Sequence, residues 1–361
     1  MKVASRMKRN YGIDLLRMLL MFMVVMLHML GNGGILNTVT LHSANYYFAW
    51  TLEVLCYCAV NCYAMISGYV TFERKYKITS LVMIWIQTIL YTLITTILFV
   101  FLFDKSVSLS YFLKTFLSLE NNPLWYVPAY TGLYVFIPIL NTAVSSMTVR
   151  QTKGFFLLSM FLLTIVPTAT TMDPLGLQQG YSTLWLMYLY LIGAMMKKYN
   201  IKDYTKKYNF ILIYFSCILM MLIYKVGTSF LTMHLFGQVK FDGLLINYTS
   251  PTMVFAAMGL LLYFVSLDLD KRTCKWIGIL SPAAFGVYLL HNQPLLHYAM
   301  TNRLSPIANL PTIWMLVWTL GLSAMLYILC MLIDLLRIYL SKLINLKKKV
   351  ASLEEKLLCL K

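Results

Sequence analysis

The sequence predicts an all-α integral membrane protein with about ten transmembrane helices and both termini in the cytoplasm. Of the 361 residues, 60% are hydrophobic and 12% are charged, whereas soluble domains have about 45–50% apolar and about 25% charged residues. The mean hydropathy is +0.72. Ten stretches come close to the roughly 20 apolar residues that a helix needs to cross a bilayer: approximately 11–30, 46–70, 78–103, 124–142, 155–170, 183–197, 209–226, 247–267, 276–299 and 312–340.

The distribution of basic residues predicts the orientation of these helices. The net charge of +17 would also suit a nucleic-acid-binding protein. However, 24 of the 30 Lys and Arg residues lie in the two terminal segments and in the loops on the same side as them, and five lie in the opposite set of loops. Cytoplasmic loops of membrane proteins carry this excess of Lys and Arg. The charge therefore indicates cytoplasmic termini, and we expect no nucleic-acid partner.

The chain divides into a membrane domain, residues 1–340, and a short tail, residues 341–361. Cys56, Cys58 and Cys62 lie in one apolar stretch with no His beside them, so we interpret them as packing residues and expect no metal site. In the tail, leucines at heptad spacing alternate with lysines. This pattern favours a basic amphipathic helix on anionic lipid, or a short coiled coil that joins a second copy or another protein.

The first apolar stretch, from Tyr11 to Leu30, carries three groups that a bilayer disfavours: Asp14, Arg17 and His28. At 100° per residue they fall on one helical face. Ionisable groups in a spanning helix usually face a protein interior or a wet cavity, so a functional site is the default hypothesis. The alternative is a signal anchor with a snorkelling Arg and a hydrogen-bonded His.

The predicted orientation sorts the ionisable side chains of the spans by depth. The outer half is expected to hold His28, Glu53 and His291. The inner mouth is expected to hold Asp14, Arg17, Arg74, Lys75 and Lys77. A neutral imidazole can act as a base or a nucleophile, and a nearby carboxylate can orient its ring or hold the imidazolium. The basic mouth suits an anionic, phosphate-bearing donor. Proton-coupled transporters also place His and Glu in their spans, so transport remains an alternative.

Three segments outside the predicted spans are longer than turns. Residues 31–45 contain no Lys or Arg and are rich in Gly and Asn. Residues 110–123 are apolar enough to lie at the membrane interface. Residues 227–247 are expected to form a flexible loop or a lid.

Four segments in order resemble the family-3 membrane acyltransferases, which are bacterial O-acyltransferases of cell-surface glycans. Ile13-Asp14-Leu15-Leu16-Arg17, with His28 eleven residues after Arg17, is similar to the family's I-D-x-L-R opening and its R-x10-H first helix. The other three segments are Ile66-Ser67-Gly68-Tyr69, Leu124-Trp125-Tyr126-Val127, and Phe285-Gly286-Val287-Tyr288-Leu289-Leu290-His291. The resemblance extends along most of the chain.

The resemblance implies an enzyme of the bacterial plasma membrane that takes an acyl group from cytoplasmic acyl-CoA, usually acetyl-CoA. The group would pass to a hydroxyl of a cell-surface or lipid-linked glycan. His28 would be the catalytic histidine and Arg17 its partner in the first helix. Glu53 is a candidate catalytic carboxylate from its predicted depth alone. Family members often have an arginine pair after the second helix that contacts the donor. Here Arg74, Lys75 and Lys77 occupy that position.

Five further residues are candidate contacts for the substrate or for an oxyanion: Asn61, Ser67, Trp125, Tyr126 and His291. For the polar ones, an ordinary interhelical hydrogen bond is the competing interpretation. Trp125 and Tyr126 offer apolar faces to a sugar, or they belong to the aromatic belt of the membrane. A glycan transporter or flippase, and a scaffold for a glycan-assembly complex, remain alternative functions.

Overall fold

The structure is a computed structural model, and it describes residues 9–103, 123–173 and 175–358. Within these residues the chain is helical and contains no strand, which confirms the predicted all-α class. The helices are α1 (Tyr11–Leu30), α2 (Ile35–Thr38), α3 (Ala44–Tyr57), α4 (Ala59–Thr71), α5 (Ile78–Phe103), α6 (Tyr126–Ser146), α7 (Val149–Met160), α8 (Val166–Thr170), α9 (Thr183–Lys198), α10 (Lys207–Phe236), α11 (Pro251–Val265), α12 (Lys271–Leu280), α13 (Ala284–His291), α14 (Pro294–Met300), α15 (Thr312–Leu343) and α16 (Leu346–Leu358).

Every predicted span coincides with helix, and eight helical segments of the described chain are long and apolar enough to cross a membrane. The other two predicted spans correspond to α9, with 16 residues, and α11, with 15. The count of ten and the orientation of the termini remain predictions.

Several predicted boundaries differ from the structure. The second span consists of α3 and α4, which meet at Cys58. The fifth contains a π-helical turn, Phe161–Ile165, between α7 and α8. The prediction of a loop or lid over the whole of 227–247 is wrong for its first part, because α10 continues as regular helix to Phe236. Most of the predicted interfacial segment 110–123 lies outside the described residues.

Helix α1 lies at the centre of the bundle, where thirteen of its twenty residues are buried. It packs against α3, α4, α11, α13 and α15. Asn10 fixes the start of α1 because its side-chain oxygen accepts a hydrogen bond from the Ile13 amide at 3.0 Å, and its Nδ2 donates to Val265 O at 2.9 Å. Arg17 and His28 are therefore on a helix that the rest of the bundle surrounds.

A close crossing of α4 and α9 holds the neighbouring part of the bundle. A Cβ atom at Gly68 would lie 1.9 Å from Tyr190 O, and one at Gly193 would lie 2.0 Å from Met65 O. Only glycine allows the two backbones to approach this closely.

The tail forms a separate helix, α16, although the sequence pattern runs on from α15 without a Gly or Pro. Asn345 has a φ of 52°, which breaks the helix before Leu346. The Glu354 carboxylate accepts hydrogen bonds from the Ile78 amide at 2.8 Å, the Thr79 amide at 2.9 Å and the Thr79 hydroxyl. The tail thus docks on the amino end of α5, where a carboxylate is favoured by unpaired amides and the helix dipole.

Candidate active site

A cavity of about 370 Å³ opens beside the second half of α1. It contains four of the predicted site residues: His28, Glu53, Trp125 and Tyr126. The other side chains and backbone segments that line it are Met21, Val24, Leu27, Gly31, Asn32, Tyr57, Val60, Tyr63, Pro123, Tyr181, Tyr248, Phe285, Tyr288, Asn292 and His297. A largely apolar pocket with a few convergent polar groups is the typical form of a ligand site.

His28 and His291 form a direct hydrogen bond across this region, although 263 residues separate them. His28 Nδ1 lies 2.9 Å from His291 Nε2, and His291 Nδ1 lies 2.6 Å from Val287 O. A carbonyl oxygen only accepts, so His291 Nδ1 carries a proton. In a neutral ring, His291 Nε2 then has the lone pair, and His28 Nδ1 must be the donor.

This chain of donors fixes the tautomer of His28. With its proton on Nδ1, the neutral His28 ring has its lone pair on Nε2. No other described residue forms a hydrogen bond with Nε2, and His28 lines the cavity. The geometry therefore gives His28 a free basic and nucleophilic nitrogen, with His291 as the group that orients the ring.

A third imidazole, His297, faces the same cavity from α14. Its ring centroid lies 6.1 Å from that of His28, with the planes nearly perpendicular. Asn32 holds this segment against the end of α1, because its Nδ2 donates to His297 O at 3.0 Å and its oxygen accepts from the Thr301 hydroxyl at 3.0 Å.

Glu53 lies on the cavity wall, but it forms no hydrogen bond with His28 in the described part of the chain. Its side chain is 7% exposed, and its Oε2 is buried without a hydrogen-bond partner among the described residues. The side chain that contacts the His28 ring is therefore His291 and not the expected carboxylate.

Aromatic side chains form much of the remaining wall. Trp125 and Tyr126 line the cavity as expected, with Trp125 packed against Tyr181 at a centroid distance of 4.6 Å. Tyr57 stacks on Tyr248 at 4.7 Å. These rings give the cavity broad apolar faces edged by hydroxyl groups.

A second, smaller cavity of about 90 Å³ lies at the amino end of α1 and is lined by four basic side chains: Arg9, Arg17, Arg74 and Lys197. Asp14 fixes two of them, because it accepts from Arg9 Nε at 2.5 Å and from Arg17 Nη1 at 2.8 Å. Glu73 lies 3.4 Å from Lys197 Nζ, so two carboxylates meet four cations. The cavity therefore stays positive, which suits an anion with several phosphate oxygens.

Tyr63 lies between the two cavities. This side chain lines the larger cavity, and its hydroxyl donates to the backbone oxygen of Arg17 at 2.5 Å. Tyr126 and Tyr130 stack beside it at a centroid distance of 5.8 Å. Arg17 and His28 are eleven residues apart on α1, which is roughly 16 Å along the axis. The two cavities therefore lie at opposite ends of the same helix, with tyrosines between them.

Five predicted site residues line neither cavity: His291, which lies behind His28, and Asn61, Ser67, Lys75 and Lys77. Asn61 is fully buried. Its Nδ2 donates to Tyr248 O at 2.8 Å, and its Oδ1 accepts from the Trp185 indole at 3.1 Å. Ser67 donates to Tyr63 O at 3.1 Å. Both side chains therefore form ordinary hydrogen bonds between or within helices, which is the alternative to a role in the site. Lys75 and Lys77 are exposed in the segment after α4, next to Arg74.

Sequence reasoning missed three groups of site residues. In the sequence, Arg9 and Lys197 contribute only to the number of basic residues between spans, although both line the basic cavity. His297 had one available signal, since it is one of only five histidines and lies six residues after His291. Tyr57, Tyr181 and Tyr248 were indistinguishable from the other tyrosines of the chain. Among the described residues, no group of three His, Cys, Asp or Glu side chains has an arrangement that could hold a metal ion.

Membrane-length helices surround the pair His28 and His291, and a basic cavity lies at the other end of α1. These features define a multi-pass membrane protein built for acid–base or nucleophilic chemistry. The chain belongs to the family-3 acyltransferases, because the family model described as an acyltransferase domain matches residues 10–334. It is therefore a membrane acyltransferase. No curated protein and no solved structure matches the chain.

Proposed function

We propose that this protein is an O-acetyltransferase of the bacterial plasma membrane. It takes an acetyl group from acetyl-CoA on the cytoplasmic side and transfers it to a hydroxyl of a cell-surface or lipid-linked glycan. The observation that carries the proposal is the hydrogen-bonded chain from Val287 O through His291 to His28, which leaves the His28 Nε2 lone pair free in a cavity. The predicted orientation puts the basic cavity on the cytoplasmic side and the His28 cavity toward the outside.

The basic cavity has the chemistry to hold the phosphates of coenzyme A. Arg17 and Arg9 are oriented by Asp14, and Arg74 and Lys197 complete the ring of cations. Lys75 and Lys77 add positive potential at the entrance. The separation of roughly 16 Å between Arg17 and His28 is spanned by the extended arm of the donor when its phosphates stay in the basic cavity.

His28 Nε2 takes the proton of the acceptor hydroxyl as its oxygen attacks the thioester carbon. The carbon–sulfur bond breaks, and the proton passes from Nε2 to the departing thiolate, so the products are the acetyl ester and free CoA. In a two-step route the same nitrogen attacks the thioester first, and CoA leaves as the thiolate. The acceptor hydroxyl then displaces the acetyl group from Nε2, and its proton passes to the thiolate. Tyr126, whose hydroxyl forms no hydrogen bond with another described residue, is the proposed donor to the oxyanion.

The proposal is tested with purified protein in detergent or nanodiscs, labelled acetyl-CoA and an extract of the cell-envelope glycan. Transfer of label into hydroxylamine-sensitive esters is expected from the wild type, and His28→Ala is expected to lose it while expressing normally. In a deletion strain, the envelope glycan is expected to lack acetyl esters until the wild-type gene, and not the His28→Ala gene, is restored.

The glycan-transporter interpretation predicts a different result. Vesicles would then show movement of a glycan or its precursor that depends on the protein, with no label in esters. Normal ester content in the His28→Ala strain would also reject the proposed role of this residue. The tail is tested separately by deletion of residues 341–361. Loss of association with a second copy or a glycan-assembly partner, with acetylation intact, would identify it as a tether.

A further inference from the structure

We propose that the wall of the larger cavity that carries Glu53 binds the acceptor, and that Glu53 selects uncharged or ammonium-bearing acceptors against anionic ones. This inference rests on the proposed acetyl transfer and names the residue that determines its acceptor class. It begins from an unpartnered group: Glu53 Oε2 is buried with no hydrogen-bond partner among the described residues, on the wall of the cavity that contains His28. A buried carboxylate oxygen without a donor is costly to a fold and indicates a missing partner.

The surroundings of Glu53 hold a compensating cation but leave the carboxylate available. Lys225 on α10 is 2% exposed and interacts electrostatically with Glu53. Its ammonium is already engaged, because Nζ lies 2.6 Å from Asp242 Oδ2 and 3.3 Å from the centroid of the Trp50 ring. The set of Glu53, Lys225 and Asp242 has a formal charge of −1. The lysine therefore allows a carboxylate to be buried here and does not occupy its oxygen atom.

The rings next to Glu53 provide the second half of a sugar site. Tyr57 stacks on Tyr248 at 4.7 Å, and Tyr181 meets Tyr248 at 5.4 Å, so flat apolar faces adjoin the carboxylate. A pyranose ring packs its C–H face against such surfaces and donates its hydroxyl hydrogens to an acceptor. An ionised Glu53 can only accept hydrogen bonds, so it discriminates strongly in favour of a ligand that brings a hydroxyl or ammonium donor.

The charge of the wall sets the acceptor class. Glu53 is the one formally charged side chain among the described residues that line this cavity, and the imidazoles of His28 and His297 flank it. A uronate or phosphate held against these rings would face the carboxylate with no Lys or Arg of the described lining to pair with it. Like charges placed together in an interface suppress the wrong partner. The site is therefore selective for an uncharged sugar or an amino sugar.

The test measures acetyl transfer to three soluble oligosaccharides of equal length: maltotetraose, which is uncharged, tetraglucosamine, which carries ammonium groups, and tetragalacturonate, which is anionic. The readout is kcat/KM for hydroxylamine-sensitive esters from labelled acetyl-CoA. The wild type is expected to prefer the first two over the third by about tenfold or more. Glu53→Gln keeps the size of the side chain and removes its charge, so this ratio is expected to fall toward one through the KM for the acceptor.

Glu355→Gln, at an exposed position of the tail, is the matched control and is expected to keep the wild-type ratio. A wild-type preference for tetragalacturonate, or an unchanged ratio in Glu53→Gln, would overturn the inference. So would acetyl-CoA turnover that depends on His28 but transfers to none of the three. The wild-type ratio requires no variant, so the inference is testable even if Glu53→Gln does not fold. Absence of any turnover that depends on His28 would instead refute the proposed function.

Discussion

Replacement of His291 tests how the structure prepares His28. His291→Phe keeps an aromatic ring in the buried site but removes the nitrogen that accepts from His28 Nδ1 at 2.9 Å. His291→Gln retains a polar atom at nearly the same distance from the backbone, and its amide oxygen can accept this hydrogen bond. His291 is a positioning residue, because it acts on the reaction through the His28 ring. The two variants separate loss of the hydrogen bond from loss of packing.

The size of the effect follows from the lost hydrogen bond. In His291→Phe, the Nδ1 proton of His28 is left in a buried site without an acceptor, which costs about 1–3 kcal/mol. The ring relieves this cost by moving the proton to Nε2, and the lone pair then points away from the cavity. At about 1.4 kcal/mol per factor of ten, kcat is expected to fall roughly 5- to 150-fold. His291→Gln is expected to recover most of this loss.

The assay is steady-state acetyl transfer by purified variants at saturating acceptor, with kcat and the KM for acetyl-CoA measured separately. The loss in His291→Phe is expected in kcat, because the basic cavity lies at the other end of α1 and its contacts do not include His291. Thermal unfolding of both variants controls for packing. If His291→Phe keeps wild-type kcat, or His291→Gln loses as much as His291→Phe at equal stability, the tautomer argument is refuted.

Three further predictions concern other parts of the molecule. Arg17→Ala removes a cation of the basic cavity and is expected to raise the KM for acetyl-CoA about ten- to hundredfold; an unchanged KM would contradict the donor site. Gly286→Ala puts a Cβ 2.0 Å from the Asp334 carboxyl carbon and is expected to cost about 1–3 kcal/mol in the free energy of unfolding, measured by denaturation; wild-type stability would contradict the packing. The hydrogen bonds that Glu354 accepts from Thr79 lower its pKa, so docking of α16 is expected above this pKa and is lost as the pH falls through it. Proteolysis of the tail against pH measures this, and Glu354→Gln is expected to flatten the profile; cleavage independent of pH would contradict it.

Much of the fold could be predicted from the sequence because hydropathy and helix length act locally along the chain. The register of Asp14, Arg17 and His28 on α1 followed from the helical repeat alone. The break at Cys58 and the extension of α10 to Phe236 depend on packing against other helices, and no local signal marks them.

The sequence predicts how deep in the membrane the candidate site residues lie, but not which of them contact one another across helices. Charge and span order gave His28, Glu53 and His291 a common level, yet only the packing of α1 against α13 brings His291 to His28 Nδ1. Glu53 instead lies on the cavity wall, where its Oε2 has no hydrogen-bond partner among the described residues. Arg9 and Lys197 are likewise joined to Arg17 by contacts between distant segments, which no pattern in one sequence reports.

The central claim is that His28 presents the lone pair of Nε2 to the substrates. The most direct measurement is the ¹⁵N NMR spectrum of protein labelled at histidine ring nitrogens, with the His28 signals assigned by their loss in His28→Gln. The account predicts at neutral pH a protonated Nδ1 and an unprotonated Nε2, the reverse of the tautomer that dominates for free histidine in water. A proton on Nε2, or an imidazolium with protons on both nitrogens, would contradict it.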